Sequence, residues 1–327
     1  MKIDIFAHIL PANYKNALLK TLPSKFSWEA LENPVLSDLG KRFEIMDKFE
    51  SLAQVLTLPP PPVEYIAKPE KAAELARIAN DDLAELVAKY PERFVAGIAC
   101  LPMNDIDNTL NEVARAIKDL NLKGVQIYCP TNDKPLDSSE FLPLYERMSQ
   151  YNLPIFLHPF RTQNTADYKA ESSSKYLIYH IFGWPYETST AMARLTFSGI
   201  LEKFNNLKIV CHHNGAMIPF FESRILDQQF RKQMDKPVYA ELKRPPIEYF
   251  RMFYVDTVTR TIPALMCTYH FFNAEHMLFG TDMPYGVQFG LNSIQQGING
   301  IQDMNITARE KQMLLEENAR RLLCLPA

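Results

Sequence analysis

The chain has 327 residues, of which 47% are hydrophobic and 22% charged, and its formal net charge is −3 at pH 7. This composition is ordinary for a globular protein, and the small negative charge predicts no nucleic-acid partner. No apolar run approaches the roughly 18 residues of a membrane span, and the N-terminus is too short and too polar for a signal peptide. The five cysteines, odd in number and mostly in apolar runs, predict reduced thiols in a cytoplasmic protein.

Short apolar runs alternate with longer stretches of helical periodicity along the chain. The predicted strands are Ile3–His8, Leu52–Leu58, Phe94–Leu101, Gly124–Tyr128, Ile155–His158, Lys208–His212, Met252–Asp256 and Met277–Gly280. The predicted helices are 67–90, 105–120, 138–151, 174–203, 216–234, 260–271, 290–301 and 307–323. Strands separated in this way by helices favour one closed (β/α)8 TIM barrel over residues 1–327 rather than an open sheet.

Residues 11–50 are too many for a single connection between a strand and a helix. They carry the large apolar side chains of Phe26, Trp28, Phe43 and Met46. We therefore expect a small helical insertion after the first strand. It is either a cap over the mouth of the barrel or a pair of surface helices.

The candidate catalytic residues lie where predicted strands end. In a barrel of this type, functional groups collect at the C-terminal ends of the strands. These positions hold His8, His158, the pair His212–His213, Asp256 and Asp282. One histidine at a strand end is more often a hydrogen-bonded structural residue, but agreement among separate strand ends indicates a common site. Imidazole nitrogens with a carboxylate oxygen are the donor set of a zinc-type centre that keeps one position open.

The other histidines are predicted to be structural. His180 lies on an amphipathic helical stretch and either packs in the core, which we favour, or faces the pocket. His270 ends a predicted helix, where an imidazolium interacts favourably with the terminal carbonyls. His276 precedes the eighth strand and is expected on the opposite face of the barrel.

Several segments carry a family resemblance over nearly the whole chain. They are IDIFAHILP, IFLHP, the block FGWPYETSTAMARLTFSGILEKFNNLKIVCHHNGAMIPFFESRI, LFGTDMPYG and ENARRLL. With these segments the chain resembles the aminocarboxymuconate-semialdehyde decarboxylase branch of the amidohydrolase superfamily, which includes resorcylate-type aromatic acid decarboxylases. The resemblance implies a homodimer and a divalent metal ion, with zinc first and manganese as the alternative.

The resemblance also implies roles for individual residues. His8, His158 and Asp282 match the metal ligands, and Asp282 doubles as a proton carrier. His213 matches the catalytic imidazole because it begins the segment HNGAMIP. His212 is the less favoured neighbour, since only one of two successive strand residues faces the barrel interior.

Position 6 departs from the family pattern. Asp4, Phe6 and His8 share one face of the first strand, so Phe6 is expected to point inward where the family has a first histidine or glutamate ligand. Three protein ligands and a water still form a catalytic zinc shell, so we expect metal binding with lower affinity. Arg224 and Trp184, in the matching middle block, are candidates for gripping a carboxylate and stacking on a planar substrate. The alternative roles are a surface ion pair and a core aromatic.

These residues and the resemblance predict a metal-dependent, non-oxidative decarboxylase of a small unsaturated or aromatic carboxylic acid. Two alternatives remain open. The same constellation can direct water at a carbonyl, as in a hydrolase of a lactone or amide, because a fold does not fix a reaction class. A barrel that has lost a metal ligand can also serve as a non-catalytic binding protein.

Overall fold

The computed structural model describes residues 1–22, 29–226 and 242–326. Its strands, all parallel to their neighbours, are β1 (Lys2–His8), β2 (Leu52–Thr57), β3 (Phe94–Gly97), β4 (Ala99–Cys100), β5 (Val125–Cys129), β6 (Ile155–Pro159), β7 (Ile209–Cys211) and β8 (Tyr254–Val255). The α-helices of the described residues are Ala12–Thr21, Leu39–Met46, Val63–Ile66, Pro69–Lys89, Ile106–Lys118, Leu142–Tyr151, Trp184–Phe197, Ile200–Lys203, Glu222–Leu226, Pro246–Phe250, Ile262–Phe272, Leu291–Asp303, Ala308–Gln312 and Asn318–Leu322. This alternation is the predicted α/β barrel.

The strands form two sheets, of order β1-β2-β3 and β4-β5-β6-β7-β8. The predicted third strand is split between them. The Ile98 N–H donates to the Leu56 carbonyl, whereas the Ala99 N–H donates to the Gly124 carbonyl. The chain thus changes its hydrogen-bonding partner at this point and joins the two sheets.

The predicted eighth strand, Met277–Gly280, is not a regular strand in the structure. Its segment nevertheless bonds to both open edges. The Leu278 N–H donates to the Val255 carbonyl of β8, and Phe279 accepts from the Ile5 N–H of β1. Single bridges pair Val255 with Met277 and Ala7 with Met283. Hydrogen bonding therefore runs around the barrel, although this segment is too irregular to form a continuous ladder.

The buried side chains follow the two-residue period of the strands. One apolar cluster includes Ile3, Ile5, Val55, Ile98 and Val210, and a larger cluster joins the strands to the helices. Alternate strand residues thus fill the barrel interior and contact the surrounding helices.

Two predicted helices differ from those observed. The stretch 174–203 contains a π-helical turn at Tyr179–Gly183, followed by the helices Trp184–Phe197 and Ile200–Lys203. These two helices are separated at Gly199, whose φ of +80° suits glycine. Within the predicted helix 216–234, the structure has the helix Glu222–Leu226, and residues 227–234 lie outside the described part of the chain. By contrast, Asp105 caps the helix Ile106–Lys118 as its sequence indicates, accepting from the Asn108 N–H at 3.0 Å.

The insertion after β1 contacts the mouth of the barrel. The Asn33 side-chain amide donates to the Pro284 carbonyl at 2.8 Å. The buried Arg42 guanidinium donates to the His8 carbonyl at 2.8 Å. Phe26 and Trp28 lie outside the described residues. These contacts place part of the insertion beside the strand ends, while its role as a cap stays a prediction.

No helix among the described residues is long and apolar enough to cross a membrane.

Candidate active site

Four side chains from separate strand ends meet at the C-terminal face of the barrel. His8 is the last residue of β1, His158 lies in β6, and His212 directly follows β7. Asp282 follows the irregular eighth segment, and its N–H donates to the Phe6 carbonyl of β1 at 3.0 Å. The structure thus brings the side chains of these strand ends together.

The Asp282 carboxylate lies between two imidazoles. Its Oδ1 is 3.2 Å from Nε2 of His8 and 3.4 Å from Nε2 of His212. Both nitrogens are buried, and neither makes a hydrogen bond of normal geometry with a described residue. His8, His158 and His212 form one group, and His212, His213 and Asp282 a second, with the nitrogen and oxygen atoms of each group within 4.8 Å of one another. Four donor side chains and His213 therefore surround a common point.

The opposite ring nitrogens of the three buried histidines are held by other groups. Nδ1 of His8 is 2.9 Å from Oγ1 of Thr57. Nδ1 of His158 donates to the Pro159 carbonyl at 2.7 Å, and Nδ1 of His212 donates to the Asp256 carboxylate. Contacts of this kind orient histidines at metal centres, because they fix the ring and leave the other nitrogen free to bind.

Burial and charge set the protonation of the cluster in opposite directions. Burial lowers the pKa of His8, and burial with the neighbouring imidazoles lowers that of His158 well below its ordinary value. Burial and His212 lower the pKa of His213 to about 3. Burial opposes charge on Asp282, but the close contacts with His212 and His8 and their electrostatic attraction hold its pKa well below the ordinary value. Neutral imidazoles beside a carboxylate are the protonation states that a divalent cation requires.

His212 has the contrary shift. Burial alone would lower its pKa, but the carboxylates of Asp256 and Asp282 outweigh burial and raise it to about 9. Asp256 is itself fixed, because its oxygens also accept the N–H groups of His213 and Asn214 at 3.0 and 2.9 Å. The imidazole of His212 therefore lies between two carboxylates.

His212, the less favoured of the two neighbours in the sequence, lies at the site in the structure. His212 is fully buried and belongs to both groups of possible metal donors. His213 also borders the site, with its ring centroid 3.9 Å from that of His212. Strand alternation does not apply here because β7 ends at Cys211 and His213 adopts a left-handed φ of +58°.

Phe6 points inward as predicted. It is fully buried, and its ring stacks on His212 with a centroid separation of 4.0 Å and an interplanar angle of 21°. Its centroid is 6.3 Å from that of His8 and 6.5 Å from that of His158. An apolar ring therefore occupies one side of the histidine cluster.

The two substrate-binding candidates lie in different surroundings. The Trp184 indole is 5.5 Å from the His158 ring and 6.1 Å from the His213 ring, and its N–H donates to the Arg161 carbonyl. Trp184 is thus a wall of the site. Arg224 is exposed on the short helix Glu222–Leu226, next to residues outside the described part of the chain, and its predicted role stays a prediction.

Sequence reasoning missed two neighbours of the site. His180, expected in the core, is exposed on the π-helical turn, and its ring is 4.4 Å from Trp184. The Tyr285 ring is 5.7 Å from His8, and burial followed by the Asp282 charge raises the pKa of its phenol. The position of Tyr285 three residues after Asp282 was a usable signal, whereas nothing in the local pattern revealed the irregular turn that exposes His180.

These residues fit a divalent metal ion. Buried imidazole nitrogens without a hydrogen bond face one carboxylate, and the far sides of the rings are anchored. Nitrogen and carboxylate donors suit zinc and manganese alike.

Comparison with known proteins agrees with this geometry. A sequence model described as amidohydrolase matches residues 3–325. The chain is 30% identical over 349 residues to 2-amino-3-carboxymuconate-6-semialdehyde decarboxylase of Dictyostelium discoideum, covering 99% of this chain and 92% of that protein. It is 30% identical over 315 residues to gamma-resorcylate decarboxylase of a Polaromonas species, covering 93% and 92%. The resemblance inferred from the sequence motifs is confirmed.

A solved structure of a decarboxylase is also similar to this chain. The dihydroxybenzoic acid decarboxylase of Polaromonas, solved with bound manganese and the inhibitor 2-nitroresorcinol, has a TM-score of 0.82 and 27% identity. The alignment covers 99% of this chain and 96% of that one. The comparison supports the barrel and a divalent metal.

Proposed function

Because the chain belongs to the amidohydrolase family, we propose that it is a metal-dependent decarboxylase that releases CO2 from a small aromatic or unsaturated carboxylic acid without an oxidant. One observation carries the proposal. The Asp282 carboxylate lies 3.2 and 3.4 Å from two buried imidazole nitrogens that have no other partner among the described residues. The decarboxylases to which the chain is similar support this reaction over the hydrolysis of a lactone or amide.

His8, His158 and Asp282 hold the divalent metal in this proposal. Zinc is the first candidate, and manganese the alternative supported by a related structure. A bound cation supplies positive charge that stabilises the anionic oxygens of the substrate. Trp184 provides a flat apolar surface beside the cluster, against which a planar ring can pack, while the buried Phe6 ring packs on His212.

The reaction exchanges a carboxylate for a proton. The bond between the ring carbon and the carboxylate breaks, CO2 leaves, and the electron pair stays on the carbon until a proton joins it. His212 is the best-placed imidazole to carry that proton, because Nδ1 bonds Asp256 and Nε2 faces Asp282. We therefore assign the proton transfer to His212 rather than to His213, and His213 lines the site.

An activity panel tests the reaction. Metal-loaded protein is incubated with hydroxybenzoates and with lactones, and CO2 release and ring opening are measured. We expect CO2 release, and we expect His158→Ala and Asp282→Asn to abolish it while the circular dichroism spectrum is unchanged. Lactone hydrolysis without CO2 release would favour the hydrolase. Less than about a tenth of an equivalent of metal after repletion, with no turnover, would favour the non-catalytic barrel.

A pair of variants tests the proton role. His212→Asn should reduce kcat far more than His213→Asn, because the His212 ring bonds Asp256 through Nδ1 and faces Asp282 through Nε2, whereas His213 bonds Asp256 through its backbone N–H. Metal content is measured in both variants, so that loss of metal is separated from loss of proton transfer. The opposite ranking, with metal retained in both, would return the role to His213.

We propose a homodimer as the assembly. Large exposed apolar side chains lie between positions 176 and 226, including Tyr176 at 87%, Phe182 at 62% and Phe220 at 78% exposure. Apolar surface of this kind commonly marks an interface between proteins. Sedimentation should give a dimer, and Phe182→Asp should shift it toward monomer. A monomeric wild-type protein at micromolar concentration would contradict the proposal.

We also propose a cytoplasmic location and a small carboxylic acid as the partner molecule. Each of the five cysteines is unpaired, and Cys100, Cys129 and Cys211 are buried. Free thiols are typical of reducing compartments. Cell fractionation tests the location, and recovery outside the cytoplasm would contradict it.

A further inference from the structure

A small cavity lies inside the mouth of the barrel. It is lined by Leu58, Ile98, Cys100, Gln126 and Tyr128. Its volume of about 10 Å³ has room for one hydroxyl-sized or water-sized group. The cavity is therefore too small for a whole substrate, but it can receive one substituent.

One buried oxygen acceptor, that of Gln126, lies in the lining, and a second, that of Glu64, acts electrostatically on two lining residues. Gln126 is 4% exposed, and its Oε1 has no hydrogen-bond partner among the described residues, although its amide nitrogen donates to the Leu58 carbonyl. Glu64 is 5% exposed, its Oε1 is likewise unpaired, and its charge would act on the lining residues Cys100 and Tyr128. A buried acceptor without a donor costs about 1 to 3 kcal/mol, so both oxygens favour a ligand that donates hydrogen bonds.

Burial keeps the Glu64 carboxyl neutral. It raises the pKa of this group from 4.5 to about 8. A neutral carboxyl offers both a donor and an acceptor, so this region does not repel a second oxygen and does not select a cation.

The cavity adjoins the candidate active site on two sides. Leu58 follows Thr57, whose hydroxyl contacts Nδ1 of His8. The Tyr128 ring is 5.4 Å from the His158 ring. A planar acid whose carboxylate lies at the histidine cluster can therefore direct a ring substituent toward Gln126.

We propose that Gln126 forms a second subsite in this cavity, which receives one hydroxyl or amino group of the substrate and selects acids that carry such a donor. The inference rests on the proposed function and defines its substrate class more closely. A water molecule has the same donor chemistry, and the experiment distinguishes it from a substrate hydroxyl.

Paired ligands test the subsite by binding rather than by turnover. Calorimetry on the metal-loaded protein compares each hydroxybenzoate with the fluorobenzoate substituted at the same position, since fluorine has a similar size but cannot donate. At one ring position we expect the hydroxyl ligand to bind about 3- to 10-fold more tightly, the value of one neutral hydrogen bond. Gln126→Leu should bring that ratio close to one, whereas Gln126→Glu, which keeps an acceptor oxygen, should preserve most of it.

Further variants serve as controls for the ratio of the two ligand affinities. Glu85→Met, at an exposed position of the helix Pro69–Lys89, should leave the ratio unchanged. Glu64→Met, which removes the neighbouring carboxyl, should lower the ratio less, and Gln126→Met replaces Gln126→Leu if that variant does not fold. CO2 release is measured in parallel, so that failure of the decarboxylase proposal is seen separately.

Two results would overturn the subsite. One is a ratio that stays the same in Gln126→Leu while wild-type protein still decarboxylates the ligand. The other is a crystal structure of the complex in which a water is fixed at Gln126 and the ligand hydroxyl lies elsewhere. A ligand hydroxyl within hydrogen-bonding distance of Gln126 Oε1 would support it.

Discussion

Replacing Phe6 by histidine should tighten metal binding. The ring centroids of His8, His158 and His212 are 5.0 to 6.1 Å apart. The Phe6 centroid lies 6.3 and 6.5 Å from two of them, only slightly outside that range. An imidazole in the same rotamer would thus need only a small shift to bring a nitrogen to the common point.

The substitution has two opposing effects on stability. Phe6 is fully buried and stacks on His212, so the metal-free variant should lose about 2 kcal/mol of unfolding free energy, a typical cost for a buried substitution. An added ligand should strengthen metal binding by at least about tenfold, the size of effect that even an outer-shell partner has. At saturating metal, each factor of ten adds about 1.4 kcal/mol to the stability of the folded state.

Competition with a chromophoric chelator measures the metal Kd, and thermal unfolding with and without metal measures the linked stability. Phe6→Leu is the matched control, since it removes the ring without adding a donor and should lower only the metal-free stability. We expect a lower Kd and a larger metal-induced rise in Tm for Phe6→His alone. An unchanged Kd in a folded Phe6→His protein would refute the idea that position 6 faces the metal.

Three further perturbations follow from the same contacts. Asp256→Asn removes the carboxylate that orients His212, and it should lower metal affinity or turnover by about 10- to 100-fold. The chelator titration measures the affinity and CO2 release measures the turnover, and unchanged values of both would contradict the orienting role of Asp256. Glu64 has a folded pKa of about 8 against an ordinary 4.5, so its stabilising effect is complete below pH 4.5 and is lost as the pH rises to about 8, at up to about 1.4 kcal/mol per pH unit. In urea unfolding, Glu64→Gln should flatten the dependence of the unfolding free energy on pH, and an equal pH dependence would contradict the raised pKa. Arg42→Met leaves the His8 carbonyl without its buried donor and should lower the unfolding free energy by about 1 to 3 kcal/mol. Urea unfolding measures this free energy, and an unchanged value would contradict the prediction.

The sequence alone determined the barrel and three of its strand-end groups. Apolar runs with a two-residue period end at His8 and His158, and Asp282 follows the last such run. Since the C-terminal ends of parallel strands share one face of a barrel, their convergence needed no knowledge of tertiary contacts. The inward position of Phe6 followed from the same alternation with His8.

Tertiary structure decided what local periodicity does not encode. β7 ends at Cys211, and the left-handed backbone at His213 lets both histidines border the site. Asp282 likewise reaches its place from a φ of +64° in a segment bonded to both neighbouring strands. The small cavity joins Gln126 to Leu58 and Cys100, which are far apart in the chain and approach only because the barrel closes around them. Such positions depend on backbone irregularities and long-range contacts, and a repeating hydrophobic pattern carries information on neither.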